Sequence, residues 1–231
     1  MNTSLDILQK KIGITFKTII LLENVFVHRS YLNENKTFTL PSNEKLEFLG
    51  DSVLSLVTSI HLYNAYSHLQ EGDYTDIKAS IVRTESLAEA ATMLDLGSYL
   101  LLSHGEQKGN GRNKTNLLAD TFEALVAAIF IEFGFDTASA FIHTHLFDNR
   151  LDTIITNKLY LSPKSRLQER TQAKHKELPQ YELVESTGPE HDKKFTVAAL
   201  VNNKKVGEGQ GSSKKQAEEQ AAQNALDILS K

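Results

Sequence analysis

The 231-residue chain contains no cysteine. That excludes disulfides, thiolate metal sites and thiol nucleophiles together. The sequence also lacks an uninterrupted run of ~18 apolar residues, so no membrane-spanning helix is expected. Its start, "MNTSLDILQKKIGITF", lacks the basic opening, apolar block and small-residue cleavage site of a secretory signal. These absences set the expectation of a soluble, cytoplasmic protein with no membrane partner. Nucleotide-type phosphate loops are missing too, because "GEGQGSSKK" does not have the P-loop spacing. Histidine metal sites are also not suggested. His143 and His145 in "FIHTHLF" point to different helix faces, and His61 and His68 have no acid between them at ligand spacing. All four read as surface or interface histidines.

What is present is enough apolar material for a core, at 40% of residues, in a chain long enough for one medium and one small domain. The net charge of −4 does not advertise a nucleic-acid binder, but it hides an asymmetry. Residues 1–160 carry 13 Lys and Arg against 19 Asp and Glu, a balance of −6. Residues 161–231 carry 12 against 10, a balance of +2. The texture changes at the same place. Helical spacing predicts helices over 5–32 (broken near Gly13), 44–66, 74–95 (one helix or two), 117–134 (closed by Gly134) and 136–159. Ser42 or Asn43 is a candidate cap for the second of these. The glycine-rich stretch 97–116 suggests an exposed, mobile loop at its end, and 33–43 and 67–76 read as connections. After Leu161 comes a helix over 162–176, with Ser162 as cap and Pro163 at its first position. Three strands follow, in "QYELVES", which alternates apolar and polar as a half-buried strand does, "KFTVAALVNN" and "KKVGEGQGS", and then a helix over 213–229 with Ala217, Ala221, Ala225, Leu226 and Leu229 at helical spacing. The fold expected is an all-α domain over 1–157 followed by a small α+β domain, α-β-β-β-α, over 158–231. The linker falls at about 155–162.

Two helices carry an oddity. In "NEKLEFLGDSVL", Glu44, Glu47 and Asp51 stand at i, i+3 and i+7, on one helix face, inside an apolar run. In "LLADTFEALVAAIF", Asp120 and Glu123 repeat the pattern at i, i+3. Burying carboxylates is costly unless their charge is compensated. If the helices pack with acids facing, Glu44, Asp51, Asp120 and Glu123 would share a pocket and repel. A hard divalent cation such as Mg²⁺ would relieve them. The competing reading is that these acids simply face solvent, and the spacing alone leaves both open.

The C-terminal module offers different chemistry. Lys214 and Lys215 follow "GSS" at the start of the last helix, where backbone N–H groups and the dipole favour phosphate. A solvated lysine pair is the plain alternative. Gln168, Glu169 and Gln172 on the preceding helix can reach ribose hydroxyls, and His191 stands at the tip of the turn "GPEHDK". Readers of duplex RNA need contacts of these kinds.

Both halves resemble one family. "NEKLEFLGDSVL" looks like the signature helix of the ribonuclease III endonuclease domain, and "LADTFEALVAAIF" like its second metal-binding helix. "HRSYLNE" and "EGDYTDIKASIVRTESLAEAA" are also similar to family segments. The C-terminal stretch is similar to the double-stranded RNA-binding domain that follows in the bacterial enzymes. The resemblance covers essentially the whole chain in family order. It implies a Mg²⁺-dependent endoribonuclease, with Mn²⁺ able to substitute. It assigns Glu44, Asp51, Asp120 and Glu123 to metal binding, with Asp51 and Glu123 catalytic, and Glu47 and Glu71 as supporting acids. Whether Glu47 ligates directly stays open. Phe48 matches an aromatic that packs into a partner subunit, which implies a homodimer. Each subunit would then cut one strand, leaving 5′-phosphate and 3′-hydroxyl ends with short 3′ overhangs. Ribosomal RNA precursors and other structured RNAs are the substrates implied. Gln168, Glu169, Gln172, His191, Lys214 and Lys215 match RNA-contact positions. Lys108, Arg112 and Lys114 either touch the RNA backbone near the site or belong to a solvated loop. The rivals are a non-catalytic double-stranded RNA-binding regulator and an acidic helical scaffold for a protein partner.

Overall fold

The structure is a computed structural model that describes residues 2–148, 150–189 and 192–229. It divides into two compact units, Met1–Thr153 and Ile154–Lys231.

The first unit is helical. It comprises α1 (Asn2–Ile12), α2 (Ile19–Val25), α3 (Arg29–Glu34), α4 (Glu44–Ala65), α5 (Glu71–Ile81), α6 (Thr84–Met93), α7 (His104–Lys108) and α8 (Thr115–Ile142). A π-helical turn, His143–Phe147, leads to α9 (Leu151–Thr156), which crosses the division between units. The axis of the unit is α8, packed on α4 and α6. Phe122, Leu125, Ile129 and Ile142 of α8 are fully buried. On α4 the buried residues Leu46, Gly50, Val53, Leu54, Val57, Thr58 and Leu62 recur at helical spacing, which gives the helix one inward stripe.

Several sequence expectations change here. Gly134 does not end its helix. It sits at φ 82°, ψ −175°, a region essentially reserved for glycine, and the helix resumes immediately beyond it. The predicted separate helix over 136–159 is therefore split among the end of α8, the π turn and α9. The stretch Thr115–Phe147 is long and apolar enough to cross a membrane, which a search for unbroken apolar runs misses because Asp120 and Glu123 interrupt it. In the fold it is the core helix. Neither Ser42 nor Asn43 caps α4 through its side chain. The end of stretch 97–116 is largely exposed, as expected, but the stretch is folded into short helical turns. It holds a 3-10 turn at Leu96–Tyr99, α7 and a second 3-10 turn at Gly111–Asn113, and Gly97 and Gly111 are buried.

The second unit comprises α10 (Pro163–His175), β1 (Gln180–Thr187), β2 (Lys194–Val201), β3 (Lys204–Gly211) and α11 (Lys214–Leu229). The sheet is antiparallel in the order β1-β2-β3. Ser162 caps α10 by accepting the Ser165 N–H at 3.1 Å, ahead of Pro163 at the helix start. The core is Leu167, Ala199, Ala221, Ala222, Ala225 and Leu226, with Tyr181, Val206 and Leu229 at its margin. Glycine makes the layer thin. A Cβ on Gly207 would lie 2.4 Å from the Ala221 carbonyl oxygen, and one on Gly209 would lie 2.2 Å from the Ala221 nitrogen. Alternate glycines on β3 and small residues on α11 thus let the helix rest directly on the strand. By contrast β1, expected to be half-buried, leaves Leu183 and Val184 exposed, with a register shift between Leu183 and Glu185.

Candidate active site

The site is built where α4 crosses α8. A Cβ on Gly50 would stand 1.9 Å from the Glu123 carbonyl oxygen, so the two backbones touch there and only glycine fits. Glu47 lies one turn before this contact and Asp51 one residue after it, while Asp120 and Glu123 come from the facing helix. One carboxylate oxygen from each of Glu47, Asp120 and Glu123 falls within 4.8 Å of the others.

Three acids this close, all part-buried, oppose their own ionisation. Glu123 is pushed up to about 8, chiefly by burial and then by Asp51, Glu47 and Asp120. Burial raises Glu47 as well, helped by the charges of Asp120, Glu44 and Asp51. Asp120 is raised by burial, against the pull of its own backbone N–H. The oxygens form an all-carboxylate donor set with excess negative charge, which is what a hard divalent cation requires.

Not every expected acid joins this group. Asp51 lies close enough for its charge to raise Glu123 and Glu47, but it is outside the three-oxygen group. Glu44 is engaged elsewhere. One of its oxygens faces the Arg29 guanidinium at 3.6 Å, and the other accepts the Ser42 hydroxyl at 2.7 Å. Glu71 is exposed in the first turn of α5, beside a cavity of about 210 Å³ shared with Ser59, Tyr63, Tyr74 and Lys78. Phe48 is 78% exposed, in line with Leu56, Ile60 and Tyr63 along the outer side of α4. Sequence reasoning missed Gly50, although a glycine between acids on a buried helix was the available signal. It also missed Arg29.

The cations of the 97–116 stretch are largely occupied. The Arg112 guanidinium donates to the Gly97 and Ser98 carbonyls at 2.8 Å each, and Lys114 pairs with Glu106. Lys108, in the last turn of α7, is exposed.

A family model described as Ribonuclease-III-like matches residues 19–150, and one described as a double-stranded RNA binding motif matches residues 163–229. The chain belongs to the ribonuclease III family. Ribonuclease 3 of Chloroflexus aurantiacus is 44% identical over 228 residues, covering 98% of this chain and 92% of that protein. Ribonuclease 3 of Treponema denticola is 40% identical over 221 residues, covering 96% of this chain and 89% of the relative. Among solved structures, a nuclease domain of ribonuclease III from Campylobacter jejuni superposes with a TM-score of 0.55 at 33% identity. It covers 60% of this chain and 95% of that domain. Membership and the second motif together make the protein an endoribonuclease of double-stranded RNA.

In the ribonuclease III framework the second unit is the RNA-binding module. Gln168 and Gln172 are exposed one turn apart on α10. Glu169, beside them, is bridged by Lys158 at 2.5 Å. Lys214 and Lys215 are exposed in the first turn of α11. One of that helix's open N–H groups is already taken, since Ser213 Oγ accepts from Gln216 N–H at 3.2 Å. Lys164 ties the two helices together through Glu218 at 2.5 Å and, by its backbone N–H, through Glu219 at 3.3 Å. His191 lies outside the described residues.

Proposed function

We propose that the protein hydrolyses both strands of duplex RNA in a Mg²⁺-dependent reaction, with Mn²⁺ able to substitute, and that it works as a homodimer. The observation that carries the reading is the meeting of Glu47, Asp120 and Glu123 within 4.8 Å at the Gly50 crossing. Glu47, Asp120 and Glu123 would hold the ion, with Asp51 alongside. Such an ion lowers the pKa of water and offsets charge on a leaving oxygen. Glu123, pushed up to about 8, keeps its proton at neutral pH when the cluster is uncompensated, so ion binding and proton release are linked at this carboxylate. Asp51 and Glu123 are the acids assigned to the reacting phosphate. The products are 5′-phosphate and 3′-hydroxyl ends with short 3′ overhangs. Ribosomal RNA precursors and other structured RNAs are the proposed substrates, and the cytoplasm the proposed location.

Two observations support the dimer. Phe48, Leu56, Ile60 and Tyr63 line one exposed side of α4, an apolar stripe of the kind that marks an interface. The Campylobacter jejuni nuclease domain is described as having a region involved in dimer formation. Gln168, Glu169, Gln172, His191, Lys214 and Lys215 are proposed to hold the duplex through ribose and phosphate, which makes affinity salt-dependent.

The deciding experiment incubates a long RNA duplex and a single strand of the same sequence with Mg²⁺. The duplex alone should be cut, and both chelator and Glu123→Ala should abolish cutting. Full activity in either condition would overturn the metal mechanism. Binding of duplex without cutting would instead favour the regulator reading.

A further inference from the structure

Arg29, the first residue of α3, stands beside the acidic side of α4 because the backbone fixes it there. Asn43 is buried, and its Nδ2 donates to the Val25 carbonyl at 3.0 Å while its N–H donates to the Val27 carbonyl at 2.9 Å. These bonds stitch the segment before α3 to the residue before Glu44. His28 then caps α3, with Nδ1 accepting the Ser30 N–H at 3.3 Å. Ser30 Oγ in turn accepts the Ser103 N–H at 3.1 Å, and the His28 N–H donates to the Leu101 carbonyl at 3.2 Å. Arg29 and Glu44 therefore each extend from an anchored neighbour.

The contact between them is loose. It is a single approach at 3.6 Å, with side chains 73% and 53% exposed. Exposed pairs of this kind contribute little to stability, so the pair is not what holds the fold. Lys114, which shares the electrostatic surroundings of His28 with Arg29 and Glu44, is already taken by Glu106. Among the described residues Arg29 makes one ion pair, to Glu44, and its side chain is 73% exposed, so most of its guanidinium is available. The need for a cation here is plain. Glu47, Asp120 and Glu123 meet at the proposed cutting centre, and Glu44 and Asp51 lie close enough for their charges to act on Glu47. One divalent ion does not neutralise them. A guanidinium presents planar paired donors that match phosphate oxygens.

We propose that Arg29 clamps a backbone phosphate of the RNA duplex at the edge of the cutting centre. Glu44, turned by Ser42, is its holder and not an ion ligand. The proposal rests on reading the Glu47–Asp120–Glu123 cluster as that centre. Arg29 is a substrate-binding residue, and Glu44 and Ser42 are positioning residues acting through it.

The test uses full-length Arg29→Ala, Arg29→Lys, Glu44→Gln and Glu123→Gln. Three quantities are measured: duplex-RNA affinity in Ca²⁺ across a salt series, single-turnover cleavage in Mg²⁺, and the rise in melting temperature that Mg²⁺ produces. Arg29→Ala should weaken binding roughly tenfold and reduce the slope of log affinity against log salt by about one per arginine. Arg29→Lys should recover part of the loss. Glu44→Gln should weaken binding in the same sense, by roughly threefold, and leave the Mg²⁺-induced rise in melting temperature intact. Unchanged affinity and slope in Arg29→Ala would overturn the clamp. Loss of the Mg²⁺ response in Glu44→Gln would overturn the holder, because Glu44 would then be an ion ligand. Glu123→Gln separates the two levels. If it is inactive while Arg29→Ala behaves as the parent, only this proposal fails; if it cuts normally, the reading of the cluster fails.

Discussion

Two seams in this protein rely on the same device for opposite ends. In the second unit, Gly207 and Gly209 let β3 lie against α11, and what meets there is Ala221 and Ala225. In the first unit, Gly50 lets α4 touch α8 at Glu123, and what meets there is carboxylate. The first seam gains by contact, since small apolar surfaces leave water and interdigitate. The second gains by contact between helices but loses by bringing like charges together in a part-buried place. Close approach is thus stabilising in one unit. In the other it is an arrangement whose strain is relieved by a proton on Glu123 or by a bound cation.

The sharpest break of that comparison is Glu123→Gln, which keeps the shape and removes the charge. Cleavage should fall by ~10²–10³, the several kcal/mol that ion-stabilised charge is worth. Stability of the metal-free protein should move the other way. Glu123 is raised from its ordinary 4.5 to about 8 in the folded state. Its stabilising share is therefore fully present below pH ~4.5, and it is lost as pH rises through about 8. In chelator the parent should lose melting temperature between pH 6 and pH 9, and Glu123→Gln should lose less. A parent profile as flat as the variant's would mean that the acids do not oppose one another. Added Mg²⁺ should flatten the parent profile.

Next in size is Gly50→Ala set against Gly209→Ala. Gly50→Ala must push α4 off α8 and so part the acids. An ångström of misplacement costs ~10² in rate, and overpacking costs ~1–3 kcal/mol. Gly209→Ala should lower the melting temperature of the second unit by a similar stability increment and weaken RNA binding, while the Mg²⁺ response of the first unit survives. Single-turnover cleavage with Mg²⁺-dependent melting reads both variants. Equal loss of the Mg²⁺ response in the two would end the distinction between the seams.

How much of this was legible depends on what each residue had to reveal. β1 and α11 were readable, because the period-two alternation of "QYELVES" and an alanine stripe at helical spacing are local signals. The acids were readable as a set, since i, i+3 and i+7 share a helix face. Which of Glu44, Glu47 and Asp51 meets α8 was not, because that is fixed by the crossing at Gly50, a contact across 73 residues of sequence. Gly134 misled because a helix-ending glycine and a mid-helix glycine at positive φ look identical in sequence. The 97–116 stretch was legible only in part for a related reason. Its glycines suggested exposure at its end, where Gly105 and Gly109 are exposed, yet a Cβ on Gly97 would stand 2.2 Å from the Arg112 carbonyl oxygen, so it is glycine for crowding. Arg112 stood open between an RNA contact and a solvated loop, because a sequence cannot show that its donors end on the Gly97 and Ser98 carbonyls.

The third prediction concerns charge in the second unit. Lys214→Ala with Lys215→Ala should weaken duplex-RNA binding roughly tenfold and reduce the salt slope by about two. The melting of either unit should be unchanged, since the two lysines are exposed in the first turn of α11 and form no part of its core. Binding with an unaltered salt slope would return them to the status of a solvated pair.

The smallest effect belongs to β1, where the apolar seam of the second unit ends. Leu183 is 48% and Val184 57% exposed, whereas Ala199 on the neighbouring strand is fully buried. The register shift between Leu183 and Glu185 breaks the alternation that would have turned one of these side chains inward. Leu183→Thr should therefore change stability by no more than ~0.5 kcal/mol, the usual range for a surface substitution. Threonine also brings a β-branched side chain suited to a strand. Ala199→Thr on β2 should cost several times more, through overpacking against the α11 alanines. Thermal melts of the two variants side by side settle the point. A Leu183→Thr loss as large as that of Ala199→Thr would place β1 inside the seam and enlarge the apolar contact from which the carboxylate crossing has been distinguished.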